Sequence, residues 1–138
     1  VPPAAKASGD PGVLRGQVVR LRGLYAHVWD GSTELPCTLR GVLKSFETRD
    51  RKVVAVGDRV SFRRLSATEG VIESIDERSS SLTRADSKHP DRQHVVVANV
   101  DQLLIVASMR LPELRPRLID RYLVAAAKGE LTPVICLN

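Results

Sequence analysis

One group of side chains in this 138-residue chain has the types and spacing that nucleic-acid binding requires. Along residues 24–29, a β-strand would place Tyr25, His27 and Trp29 on one side and three apolar residues on the other. Aromatic rings on such a face can stack on bases, and neighbouring cations can hold phosphates. The cations that we assign to this RNA-binding site are Arg20, Arg22, Arg40 and Lys44. The alternative is that Tyr25 and Trp29 are partly buried against the linker or the α/β unit that follow in the chain.

The charge distribution favours a polyanionic partner. The formal net charge is +5, and residues 13–85 hold thirteen Lys and Arg against nine Asp and Glu. Such an imbalance favours RNA as a partner. The basic residues are scattered, however, and a mildly basic surface of an ordinary globular protein is the alternative.

No motif for catalysis or metal binding is present. Cys37 and Cys136 lie in apolar, strand-like patterns, and no CxxC or Cys/His cluster occurs, so we predict no metal site in this chain. Two buried, reduced thiols are typical of a cytoplasmic protein. No apolar run reaches membrane-spanning length, and we expect a monomer that binds no membrane.

Residues 13–75 have the pattern of a small barrel. After a predicted flexible tail at 1–12, turn residues separate short β-like runs, with a longer connection at 41–56. About five strands in so short a segment predict a closed barrel, because closure removes the sheet edges. A long connection between the third and fourth strands is the OB-fold plan, and an SH3-like barrel is the alternative. The predicted strands are residues 13–21, 24–29, 35–39, 59–65 and 70–75.

A polar stretch at residues 76–94 reads as a linker between the barrel and a β–α–β unit. We place the barrel at residues 13–84, the linker itself at 85–94 and the α/β unit at 95–138. In this unit, apolar runs at 102–107 and 133–137 flank an amphipathic helix. The apolar stripe of that helix comprises Leu114, Leu118, Ile119, Tyr122, Leu123 and Ala126.

The ends of the predicted helix and the last strand complete the β–α–β unit. Pro116 suits the first turn of the helix, and Gly129 suits its C-cap. We predict that residues 133–137 form a buried central strand of a parallel sheet. Asn138 follows that strand at its carboxyl end, where α/β sheets bind ligands.

Three sequence blocks, in order, resemble the circularly permuted ribosome-biogenesis GTPases over roughly nine-tenths of the chain. The blocks are Ala98-Asn99-Val100-Asp101-Gln102, then Leu118-Ile119-Asp120-Arg121-Tyr122-Leu123-Val124-Ala125, then Pro133-Val134-Ile135-Cys136-Leu137-Asn138. In that family the last strand runs into Asn-Lys-x-Asp, which recognises guanine. The resemblance therefore assigns Asn138 to nucleotide binding. It identifies the N-terminal barrel as an OB-fold. It also implies that the chain is the N-terminal portion of a larger protein.

The resemblance implies a function for that complete protein. It would hydrolyse GTP, bind the small ribosomal subunit through 16S-type rRNA and act in late subunit maturation. GTP or GDP with Mg²⁺, and a zinc ion, are implied for the complete protein and not for this stretch. No GxxxxGK[ST] phosphate loop occurs in the chain, so we assign it no catalytic residue and expect it to be inactive alone. The alternative is a non-enzymatic OB-fold RNA-binding module with a degenerate α/β appendage.

Overall fold

The computed structural model describes residues 9–44 and 53–138, and at Val42 it describes the backbone alone. The chain divides into two compact units, Val1–Arg78 and Ser79–Asn138. Most of the predicted tail and the middle of the predicted 41–56 connection lie outside the described residues. The sequence placed the end of the barrel at residue 84, whereas the division falls after Arg78.

The first unit is a closed barrel of five strands in the order β1-β2-β3-β5-β4. All neighbouring strands are antiparallel except β3 and β5, which are parallel. The short helix α1, Gly41–Lys44, follows β3. This order is the OB-fold plan, so the predicted fold is confirmed and the SH3-like alternative is not needed. The strands are β1, Leu14–Arg22; β2, Tyr25–Trp29; β3, Glu34–Leu39; β4, Arg59–Arg64; and β5, Gly70–Ile75.

Alternation along the strands fills the barrel. In β2, Ala26 and Val28 point inward and are buried, whereas their neighbours point outward. Phe62 and Ile72 are fully buried at the centre of the core. Between β1 and β2 the chain turns at Gly23, whose φ of 59° lies in the left-handed region that glycine adopts without strain. The period-two pattern of β2 therefore places Tyr25, His27 and Trp29 on the outside.

Ion pairs hold Asp10 and Arg78 of the first unit to the barrel. Near the start, Asp10 pairs with Arg63 at 2.5 Å, so this part of the predicted tail belongs to the barrel. At the end, Arg78 donates to both carboxylate oxygens of the fully buried Asp58, at 2.7 and 2.8 Å, and to the Val53 carbonyl at 3.0 Å. This buried ion pair anchors the last residue of the unit.

The second unit begins with a hairpin that the sequence did not predict. Strand β6, Ser81–Ala85, pairs antiparallel with β7, Gln93–Ala98. Interpreting residues 76–94 as a linker was therefore wrong for β6 and for the first residues of β7. Polar side chains occupy much of β6, which concealed its pattern. At the hairpin tip, His94 contacts Asp86 at 2.9 Å and holds the pKa of that carboxyl well below its usual range.

The predicted β–α–β unit follows the hairpin. Strand β8, Gln102–Ala107, pairs in parallel with β9, Thr132–Leu137, and helix α2, Pro116–Lys128, connects them. Proline stands in the first turn and Gly129 is the C-cap, as predicted. The glycine is needed for space and not for a left-handed backbone, since its φ is −94°. A Cβ there would lie 1.8 Å from the Ser81 carbonyl oxygen of β6.

Burial in the second unit differs from the prediction. All six residues of β9 are exposed, so the expectation of a buried central strand is wrong for this chain. Within the part of the chain that the structure describes, β9 pairs only with β8. The predicted helix stripe is likewise only partly covered. Ala126 is buried, but Leu118 and Tyr122 are 46% and 42% exposed.

Candidate nucleic-acid interface and strand-end site

The outer face of the barrel across β1, β2 and β3 carries most of the predicted RNA-binding residues. Strand pairing places Arg20 beside His27, Arg22 beside Tyr25, and Gln17 beside Trp29. Trp29 in turn pairs with Glu34 of β3. We call this set the outer face. Its members are Gln17, Arg20, Arg22, Tyr25, His27, Trp29 and Glu34.

The aromatic residues of the outer face differ in accessibility. Tyr25 is 43% exposed, so its ring is open to a ligand. Trp29 is half-buried, and its indole Nε1 is buried without a hydrogen-bond partner among the described residues. An unsatisfied buried donor costs about 1–3 kcal/mol. Trp29 is thus less accessible than Tyr25, which is the better candidate for stacking.

Glu34 engages two of the predicted RNA-binding residues. Its Oε1 accepts from the Arg20 guanidinium and lies 2.8 Å from Nδ1 of His27. The nearest Arg20 nitrogen is 3.5 Å from the same imidazole nitrogen. One carboxylate thus occupies both donors and neutralises one positive charge. No sequence pattern indicates this cluster, because its members lie on three different strands.

Three other predicted cations lie at one end of the barrel. Arg22 stands beside Tyr25, and because Ala26 pairs with Cys37, β3 reaches its carboxyl end next to Tyr25. Arg40 follows β3 and is exposed, as is Lys44, whose backbone N–H donates to the Arg40 carbonyl at 2.9 Å. Among the residues that the structure describes, no acidic side chain pairs with Arg22, Arg40 or Lys44. We call these three residues with Tyr25 the cationic end.

Most other barrel cations are held by carboxylates. Arg63 pairs with Glu73 at 2.9 Å, and Arg64 pairs with Asp30 at 2.9 Å. The Thr33 backbone N–H, 2.9 Å from the Asp30 carboxylate, is the main group that holds the Asp30 pKa well below its usual range. Arg15 pairs with Asp76. Arg59 is also exposed and has no carboxylate partner among the described residues, so the pairing pattern separates the cationic end from Arg15, Arg63 and Arg64.

Asn138 lies at the carboxyl end of two parallel strands. Its backbone N–H donates to the Ala107 carbonyl at 2.9 Å, and its carbonyl accepts from Met109 at 2.8 Å. These bonds join the ends of β8 and β9, and the side chain of Asn138 is exposed. The structure thus places the residue at a strand end of the kind where α/β sheets bind ligands.

No group of three His, Cys, Asp or Glu side chains that could hold a metal ion occurs in residues 9–44 and 53–138. The Mg²⁺ and zinc implied by the resemblance therefore have no ligand cluster in that part of the chain. In the same ranges, no helix is long and apolar enough to cross a membrane.

An OB barrel followed by a parallel β–α–β unit places this chain among proteins that join an OB domain to an α/β domain. The family model for the RsgA GTPase matches residues 75–138, from the end of the barrel through the second unit. The resemblance to the circularly permuted ribosome-biogenesis GTPases is thereby confirmed, for the N-terminal portion of that family.

Curated relatives agree with this family. A small ribosomal subunit biogenesis GTPase RsgA of Sodalis glossinidius is 40% identical over 124 residues, which cover 89% of this chain and 34% of the relative. The protein of the same name in Chlorobaculum tepidum is 37% identical over 135 residues, or 91% of this chain and 43% of the relative. The chain therefore spans less than half the length of the curated relatives it matches.

Solved structures show the same fold. The crystal structure of YjeQ from Thermotoga maritima superposes with a TM-score of 0.68 at 32% identity, covering 91% of this chain and 41% of that chain. YloQ, described as a circularly permuted GTPase, gives a TM-score of 0.64 at 24% identity and covers 96% of this chain and 43% of that one. At this identity, the YloQ match supports the fold alone.

Proposed function

We propose that this chain is the N-terminal part of a cytoplasmic, monomeric GTPase of small ribosomal subunit biogenesis. Its OB barrel contacts 16S-type rRNA, and its second unit begins the GTPase domain. The complete protein hydrolyses GTP on the subunit in late maturation and is then released. The names of the relatives support this proposal. The observation in the molecule that carries it is the cationic end of the barrel.

The cationic end suits an RNA backbone for electrostatic reasons. Among the described residues no acidic side chain pairs with Arg22, Arg40 or Lys44, so a phosphate bound there competes with no carboxylate in that part of the chain. Each phosphate that they neutralise releases condensed counterions, which makes the affinity fall steeply with salt. Tyr25, between these cations, offers an exposed ring on which a base can stack, for about 1–3 kcal/mol.

The second unit contributes recognition of the base. Asn138, at the end of β9, donates and accepts hydrogen bonds through its amide, so it can read the polar edge of guanine. Hydrolysis itself is a phosphoryl transfer dominated by positioning and electrostatics. The chain contains no phosphate loop, so none of its residues is given a part in that step.

Charge reversal at the cationic end tests the RNA contact. We expect the variant Arg22→Glu/Arg40→Glu/Lys44→Glu to bind small ribosomal subunits at least roughly tenfold more weakly at low salt. The slope of log affinity against log salt should fall by about three units, one for each lost phosphate contact. The measurement is a binding titration at several salt concentrations.

The matched control carries the same charge change on helix α2. The variant Arg117→Glu/Arg121→Glu/Lys128→Glu alters three exposed cations of the second unit. It should bind within about twofold of the parent chain if the contact is local. Equal weakening by both triple variants would mean that only net charge matters, and would contradict the assignment of the cationic end.

The strand-end site has its own test in the full-length protein. Asn138→Ala should weaken GTP and GDP alike, since both share the base. Leaving a buried partner unpaired costs about 1–3 kcal/mol, or roughly ten- to a hundredfold in affinity. Isothermal titration measures both constants. Unchanged affinity would contradict the assignment of Asn138 to the base site, whereas absence of GTP binding by the full-length protein would favour the alternative, a non-enzymatic RNA-binding module with a degenerate α/β appendage.

A further inference from the structure

We propose that Glu34 sets the RNA specificity of the barrel by holding Arg20 and His27 away from RNA phosphates. This inference rests on the proposed function, since it concerns the RNA-binding face of the same barrel. It differs from the first assignment of the site, in which Arg20 and His27 were direct RNA contacts. It makes Glu34, an acidic residue, a determinant of nucleic-acid recognition.

The geometry of the cluster carries the proposal. Glu34 Oε1 accepts from the Arg20 guanidinium and lies 2.8 Å from His27 Nδ1. Arg20 and His27 are direct cross-strand partners, and Glu34 of β3 is a diagonal neighbour of His27. A phosphate that approaches either donor must displace or repel this carboxylate. The outer face is therefore closed to phosphate at its middle and open at the cationic end.

The exposure of the Arg20 and Glu34 side chains separates this role from a role in stability. The Arg20 and Glu34 side chains are 56% and 36% exposed. Ion pairs that are this exposed contribute little to folding, so a neutral residue at position 34 leaves the barrel folded. The same carboxylate nevertheless cancels one positive charge on a surface that binds a polyanion. Its effect is thus expected in binding and not in the melting temperature.

The effect on specificity follows from the nature of phosphate contacts. Phosphate contacts position a nucleic acid but carry no sequence information. Because Glu34 blocks phosphate contacts at Arg20 and His27, any RNA can engage fewer phosphates on the outer face. This limit lowers the affinity for unstructured RNA most, since such RNA makes no other contacts. A small ribosomal subunit that matches the shape of the barrel has other contacts and depends less on this one.

The test compares Glu34→Gln with the parent chain, using a short single-stranded RNA of mixed sequence and purified small ribosomal subunits as probes. We expect Glu34→Gln to bind the short RNA about three- to tenfold more tightly at low salt, with a salt slope steeper by about one unit. Binding to subunits should change less. Arg20→Ala should remove the gain in the Glu34→Gln background.

The matched control is Asp76→Asn, which releases Arg15 from its carboxylate partner elsewhere on the barrel with the same change in net charge. Equal tightening by Asp76→Asn and Glu34→Gln would overturn the proposal, as would unchanged affinity for the short RNA in Glu34→Gln. The triple variant of the cationic end distinguishes failure of the Glu34 inference from failure of the proposed RNA-binding function. If it loses binding while Glu34→Gln equals the parent, only the Glu34 inference fails. If the parent and Glu34→Gln bind neither probe, both proposals fail.

Discussion

Arg20 and Arg22 look equivalent in the sequence, since both are arginines on the outward side of β1. Their surroundings make them different. Arg20 shares Glu34 with His27, whereas Arg22 has no acidic partner among the described residues. The availability of a cation to RNA therefore depends on its cross-strand neighbours. Residue type alone could not separate the two.

The two cysteines provide a prediction at the same scale. Cys37 is fully buried in the barrel core, and burial raises its pKa to about 12, whereas Cys136 of β9 is exposed. The thiolate is the reactive form of cysteine, so Cys37 should be inert in the native chain. We expect a thiol-reactive dye to modify one thiol per native chain and a second only after unfolding.

Single substitutions assign those two thiols. Cys136→Ser should remove the fast reaction, and Cys37→Ser should retain it. Two fast-reacting thiols in the native parent would show that the barrel core opens readily, and would contradict the packing around Cys37.

At the scale of elements, the Asp58–Arg78 pair is expected to fix the segment before β4 and the end of the barrel. Asp58 is fully buried and also accepts from the Ala55 backbone N–H at 2.8 Å. Removing one partner of a buried pair leaves an uncompensated charge. We expect Asp58→Ala to lower the free energy of unfolding of the barrel by about 3 kcal/mol, the low end of the usual range, because Arg78 is partly exposed.

Urea unfolding followed by the fluorescence of Trp29, the one tryptophan, measures this loss. Asp76→Ala is the comparison variant, since Asp76 pairs with Arg15 where both side chains are more exposed. Its loss should not exceed about 1 kcal/mol. Equal losses in the two variants would mean that burial gives the Asp58 pair no special role.

The helices and strands also show how much of the fold could be predicted from the sequence. Alternating residues and glycine turns predicted all five barrel strands, because each strand has one face in the core. Proline and glycine predicted the ends of α2. The β6–β7 hairpin was missed because its first strand is largely polar. Its packing against the end of α2 depends on a contact between Gly129 and Ser81, two residues that are far apart in sequence. The exposure of β9 was missed because an apolar strand was assumed to have neighbours on both sides.

At the scale of the whole molecule, the two units have different parts in the proposed function. The barrel forms a closed sheet with its own core and carries the cationic end. The second unit contributes Asn138 and the start of an α/β domain. Because the chain lacks a phosphate loop, its affinity for RNA and its affinity for GTP should be separable. We expect RNA binding from this chain and no measurable binding of GTP.

The most direct test of the central claim is co-sedimentation of the 138-residue chain with purified ribosomal subunits over a range of salt concentrations. We expect the chain to sediment with small subunits at low salt and not with large subunits. Binding should weaken linearly on a log–log salt plot, with a slope of at least about three units from the three cations of the cationic end. Absence of co-sedimentation with small subunits at low salt, or equal binding to both subunits, would contradict the account.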